Sequence, residues 1–119
     1  MYFTPSHEWI SLKENIGTVG ITKFAQKELG EIVHVELPKV GTVVKAGEEV
    51  CVLESTKSAA DIYAPVSGEI IAINENIRNA PSSINGAPEE NSWLFQIKIS
   101  DPNEIGSLMD LEKYTSLIS

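Results

Sequence analysis

The sequence predicts a mainly β fold with short helices, and three observations carry that reading. Short apolar runs, several alternating with polar residues, are cut every few positions by Gly or Pro. One β segment repeats itself, residues 35–50 aligning without gaps on residues 62–77 at an offset of 27. The chain has 119 residues, which amounts to one domain at roughly 100–200 residues per domain. A chain of that length buries roughly two-thirds of its unfolded surface, enough for a core without staples.

The elements follow in order. Residues 9–13 and 17–21 flank Glu14-Asn15, a hairpin turn. Thr22 caps a first helix that closes at Gly30, with Phe24, Ala25 and Leu29 on its inner side. Val33, Val35 and Leu37 alternate with His34 and Glu36, the period of a half-buried strand with His34 facing out. Pro38 and Gly41 interrupt the chain, and residues 43–44, 50–54, 60–64, 69–73 and 93–99 supply further strands. The stretch 79–92, rich in Asn, Ser, Pro and Gly, reads as a loop. Asp101, Pro102 and Glu104 give an N-cap, a first-turn proline and a capping-box carboxylate. A last helix from about Asp110 carries Leu111, Tyr114 and Ile118 at helical spacing.

Within the repeat, Pro38 and Gly41 fall on Pro65 and Gly68, Val43-Val44 on Ile70-Ile71, Glu48 on Glu75 and Val50 on Ile77. Two β units with the same Pro-x-x-Gly turn suggest similar halves packed about a pseudo-two-fold axis. Residues 51–61 lie between the units and should project as a hairpin centred on Ser55-Thr56-Lys57-Ser58.

Charge narrows the function. Nine Lys and Arg stand against 17 Asp and Glu, a net −8, and such a surface repels phosphate. Nucleic acid and anionic membranes are therefore poor partners. The longest apolar runs, residues 50–53 and 70–73, are far short of a membrane span. Residues 1–7 show neither the basic nor the apolar stretch of a signal peptide, and the single cysteine, Cys51, fits a reducing compartment. Cys51 sits in an apolar run and reads as a buried thiol. His7 and His34 are far apart, so no metal constellation is visible. No nucleophile elbow, phosphate loop or dinucleotide fingerprint occurs either.

Lys57 is the residue with chemical promise. Ser55, Thr56, Ser58, Ala59 and Ala60 surround it, and small neighbours leave a lysine open to a modifying enzyme from several directions. A solvated surface lysine is the commoner reading of any single lysine. Its place midway between two repeated β units distinguishes this one.

Here the residues resemble a known family. Residues 52–69, with Glu54-Ser55-Thr56-Lys57-Ser58-Ala59-Ala60-Asp61 at their centre, are similar to the lipoyl-lysine segment of glycine cleavage system H proteins. Ser6-His7-Glu8-Trp9, Val19-Gly20-Ile21-Thr22, Gly30-Glu31-Ile32-Val33 and Val35-Glu36-Leu37-Pro38 look like that family's blocks in the same order, and Trp93 and Lys98 also fit. The resemblance implies a barrel-sandwich hybrid fold and lipoic acid amide-linked to Lys57. It implies Glu54 and Gly68 in recognition by the lipoate ligase or transferase, and Ser6, Glu8 and Asp61 as polar seats for the loaded arm. A hydroxyl and a carboxylate suit an ammonium group, which only donates hydrogen bonds. Ser6 and Glu8, two apart, would share a face of an extended segment.

The implied function is a non-catalytic carrier. It would take an aminomethyl group from glycine decarboxylase (P protein) to the tetrahydrofolate-dependent aminomethyltransferase (T protein), and then meet dihydrolipoyl dehydrogenase (L protein). The setting would be a monomer in a bacterial cytoplasm or, less favoured, an organellar matrix, Met1 favouring the former. The chain departs from the family at Thr56 and Ser58, where Val and Ala are common, and at Pro88-Glu89 and Ser92-Trp93, where Pro-Tyr and Gly-Trp are usual. An H-like lipoyl relay supplying 2-oxoacid dehydrogenases is the alternative. A biotin carrier would flank its lysine with methionines, and the methionines here are Met1 and Met109. An unmodified binding protein makes Lys57 dispensable, and an enzyme lacks a catalytic set.

Overall fold

The computed structural model describes residues 1–89 and 92–119. In chain order the elements are β1 (Tyr2–Phe3), β2 (Glu8–Lys13), β3 (Ile16–Ile21), α1 (Lys23–Leu29), β4 (Ile32–Glu36), β5 (Val43–Val44), β6 (Glu49–Ser55), β7 (Ala59–Tyr63), β8 (Gly68–Ile73), α2 (Glu75–Asn79), α3 (Ser83–Gly86), β9 (Phe95–Ile99), a 3-10 turn over Pro102–Ser107, and α4 (Leu111–Ile118). Strands dominate and the helices are short, as the sequence predicts. Six strands pair in the order β1-β2-β3-β9-β8-β5 and three in the order β4-β6-β7. Ile10, Val19, Ile70 and Ile97 from the larger sheet share one core with Ile32, Leu53 and Ile62 from the smaller. Each such side chain, fully buried, contributes about 1.5–3 kcal/mol of transfer free energy. A second cluster, Phe3, Trp9 and Tyr114, sits where α4 returns to β1.

Local chemistry explains the elements. The β2–β3 hairpin turns at Glu14-Asn15, and Glu14 takes the left-handed conformation, φ 57°, that tight turns favour. Thr22 Oγ1 accepts from the Ala25 N–H and starts α1, which ends at Gly30 with φ 87°. Asp110 caps α4 through the Lys113 N–H at 2.8 Å.

Several expectations need correction. In β4 a bulge between Ile32 and His34 breaks the alternation, so Ile32 and Val35 are buried while Val33 is 51% exposed. The described part of 79–92 is more than a loop, residues 90 and 91 lying outside the described residues: α2 ends at Asn79, α3 follows, and Ile77 and Ile84 enter the core. Two isolated apolar anchors in a polar stretch gave no period to read. Glu104 closes no capping box, because its carboxylate accepts from the N–H and Oγ of Ser67 at 2.7 and 2.9 Å. On α4, Tyr114 is buried but Leu111 is 63% exposed, so the inward stripe is narrower than its spacing implied. Phe24, Ala25 and Leu29 are half-buried. Of the residues matched by the repeat, Val43-Val44 and Ile70-Ile71 lie in the paired strands β5 and β8, whereas Val50 lies in β6 and Ile77 in α2.

Candidate functional site

Lys57 occupies the turn between β6 and β7, which pair antiparallel from Glu49↔Tyr63 to Glu54↔Ala59. Ser55 shapes the turn. Its N–H donates to the Ser58 carbonyl at 2.8 Å, and its Oγ accepts from the Lys57 and Ser58 N–H groups at 3.1 Å each. The Thr56 N–H donates to the Glu31 carbonyl at 3.1 Å, fastening the tip to the chain just before β4. The backbone is thus held on both sides of the exposed Lys57 side chain. The stem of Lys57 passes over Gly30: a Cβ there would stand 3.4 Å from Lys57 Cε and 3.7 Å from Nζ. Among the described residues the ion pair is Arg78–Glu75, so the ammonium of Lys57 is held by no carboxylate.

A second polar centre forms around Glu8, which is only 1% exposed. Its Oε1 accepts from Thr4 Oγ1 at 2.5 Å and Ser6 Oγ at 2.6 Å, and its Oε2 accepts from the Tyr63 N–H at 3.3 Å. Buried carboxylates persist where donors replace lost water, and three do so here. Glu8 therefore ties the N-terminal loop to β7. Asp61, exposed, lies two residues before Tyr63 on the same face of that strand. From Ala59 to Tyr63 the strand covers about 13 Å at roughly 3.3 Å per residue. The Glu8 centre thus lies down the hairpin from Lys57.

The structure brings Ser6 and Glu8 together, although through a turn rather than one strand face: Ser6 precedes β2, and His7 between them has φ 73°. Glu54 is exposed on β6, paired with Ala59. Gly68 is buried, and a Cβ there would stand 2.1 Å from the Lys98 carbonyl oxygen. Its absence of a side chain has a steric reason: β8 and β9 could not otherwise close at that point.

Residues 1–119 match the family profile described as Glycine cleavage H-protein. The chain belongs to that family. The glycine cleavage system H protein of Thermotoga maritima is 48% identical over 112 residues, covering 94% of this chain and 90% of the relative. That of Phenylobacterium zucineum is 43% identical over 119 residues, covering 100% and 98%. A crystal structure of the glycine cleavage system H protein from Mycobacterium marinum superposes with a TM-score of 0.90 at 34% identity, covering 97% of this chain and 93% of that one. The two-sheet arrangement is thus the barrel-sandwich of glycine cleavage H proteins, which serve as lipoyl-carrying shuttle subunits.

Against that family frame, several residues near the centres were not singled out by sequence. Thr4 and the Tyr63 N–H complete the Glu8 cluster. His7 Nδ1 lies 2.9 Å from Tyr114 Oη, which lies 2.6 Å from Thr22 Oγ1. Spacing cannot find a partner 107 residues away. The departure at Pro88-Glu89 is accommodated: Trp9 Nε1 donates to the Pro88 carbonyl at 2.8 Å, and the Lys23 N–H donates to Glu89 Oε2 at 2.7 Å. Glu89 thus serves a backbone N–H in the first turn of α1. Cys51 is buried in the core, and burial first, then the charge of Glu8, pushes its thiol far above the ordinary range.

Proposed function

We propose that the chain is the lipoyl-bearing shuttle of glycine cleavage, acylated at Nζ of Lys57. The observation that carries the reading is an exposed lysine, free of ion pairing among the described residues, at the tip of a braced hairpin in a chain of this family. The donor set fits the group: an amide needs an accessible amine, and Ser55, Thr56 and Glu31 hold the turn without using that amine. When bound, lipoate supplies a disulfide that accepts an aminomethyl group and is later restored by oxidation.

The chain's own residues present and shelter that arm. Lys57 swings it, and the rigid β6–β7 turn gives it a fixed pivot. Ser6 and Glu8 provide a hydroxyl and a buried carboxylate for the ammonium of the carried group, with Asp61 adding negative charge on the approach. Glu54, exposed beside the turn, is read by the lipoate ligase or transferase. Gly68 acts on that recognition through the β8–β9 register that it permits. Residues 1–119 work as one lipoyl-binding domain, a non-catalytic cytoplasmic monomer that visits glycine decarboxylase, the aminomethyltransferase and dihydrolipoyl dehydrogenase in turn. Tethering makes each transfer effectively intramolecular after docking.

Incubating the lipoylated chain with the decarboxylase, glycine and labelled bicarbonate tests the proposal. Exchange of label into glycine is expected, and its loss in Lys57→Arg. Full lipoylation without exchange would overturn the glycine reading in favour of a lipoyl relay.

A further inference from the structure

Tyr114 joins three segments that the reaction reading treats separately. Its ring stacks on Phe3 with centroids 4.7 Å apart and planes 9° from parallel, and it meets the His7 ring edge-on at 5.7 Å. Its Oη bonds both His7 Nδ1 at 2.9 Å and Thr22 Oγ1, the α1 cap, at 2.6 Å. His7 has φ 73°, a conformation that non-glycine residues adopt only when surroundings impose it. That backbone lies between Ser6 and Glu8, whose side chains meet at 2.6 Å. The His7 carbonyl accepts from the Thr22 N–H at 3.1 Å, so the loop and the α1 cap are fastened by the same group of bonds. Burial raises the phenol's pKa, so it keeps its proton near neutrality and can both donate and accept.

We infer that Tyr114 is a positioning residue: its phenol oxygen, delivered by α4, holds His7 in the left-handed conformation that keeps Ser6 and Glu8 assembled. The inference rests on reading Ser6 and Glu8 as the seat of the carried ammonium. The terminal helix thereby governs how long the loaded arm stays sheltered, without touching it.

Tyr114→Phe deletes one oxygen and keeps the stacked ring, so it separates the hydrogen bonds from the packing. The lipoylated full-length chain is loaded with glycine and decarboxylase, freed of the enzyme, and followed for spontaneous release. In that release water adds to the methylene carbon, the carbon–sulfur bond breaks, and formaldehyde, ammonia and the dithiol result. Tyr114→Phe should release roughly five-fold faster, the size of one net hydrogen bond, with lipoylation unchanged. Ile118→Ala, which loosens α4 packing but keeps the phenol, should release at the wild-type rate. Amide exchange at Glu8 and Thr22 should rise in Tyr114→Phe and not at the β6–β7 hairpin. Unchanged exchange at those amides overturns the inference whatever the arm does, as does equal acceleration by Ile118→Ala. Glu8→Gln separates the underlying reading: if it leaves release unchanged while exchange responds to Tyr114→Phe, the seat is wrong and the positioning of His7 stands.

Discussion

Cys51 and Glu8 show what burial does to polar groups one residue at a time. Glu8 keeps three donors and stays part of the structure, whereas Cys51 has its proton locked on. An unfolded thiol loses its proton near its ordinary 8.5, but the folded one retains it. Above that pH the unfolded state binds fewer protons than the folded one, so stability falls as pH rises and is unaffected below it. The raised phenol of Tyr114 acts in the same direction from about pH 10. Chemical denaturation across pH 7 to 11 should show a decline beginning near pH 9, with a slope approaching about 1.4 kcal/mol per pH unit from Cys51 alone. Cys51→Ala should delay that onset to the tyrosine range. Because Cys51 is the sole cysteine and is buried, thiol labelling of the native, reduced, lipoylated chain should report the arm. Gly68 makes a second prediction at this scale. Gly68→Ala places a methyl 2.1 Å from a backbone oxygen that has no free rotation, so unfolding should become easier by about 1–3 kcal/mol. Unchanged stability with lost lipoylation would instead make Gly68 a recognition residue outright.

Among the elements, legibility followed the reach of each signal. The β2–β3 hairpin, the α1 cap at Thr22 and the start of α4 near Asp110 are encoded within three or four residues, and the structure has them where the sequence placed them. The β4 bulge was not legible, because Val33-His34-Val35 alternates perfectly on paper and only its pairing with β6 shifts the phase. The helices α2 and α3 were hidden for a similar reason: five and four residues are too few for a period, and tertiary burial of Ile77 and Ile84 forms them. The α1 cap offers a direct test. Thr22→Ala removes the acceptor of the Ala25 N–H and one bond of Tyr114, and should destabilise by about 1–2 kcal/mol in thermal or denaturant unfolding. Thr22→Ser should recover most of that loss. The hairpin that carries Lys57 was legible because its turn is local, while the Glu8 cluster was only half so. Ser6 and Glu8 are two apart in sequence, but Tyr63 reaches Glu8 across 55 residues of chain.

Over the whole molecule, charge is the property that sequence states without help from folding. The net −8 becomes −9 when Lys57 is acylated, since amide formation removes a cation. Self-repulsion of that size opposes association between like copies. Its partners should present basic faces, so raising ionic strength with sodium chloride should raise the apparent KM of the lipoylated chain for the decarboxylase. Insensitivity to salt would place recognition in apolar contacts instead, with exposed Val33 beside the hairpin strand as the first place to look. Among the described residues no helix is long and apolar enough to cross a membrane. On the proposed reading, chemistry belongs to one arm on one hairpin. Peptide mass mapping of the chain produced in a host with a lipoate ligase tests that most directly. The account predicts a lipoyl increment on the peptide containing Lys57 and none on that peptide in Lys57→Arg, with the fold unchanged. An unmodified Lys57 peptide, or an increment on a different lysine, would contradict it.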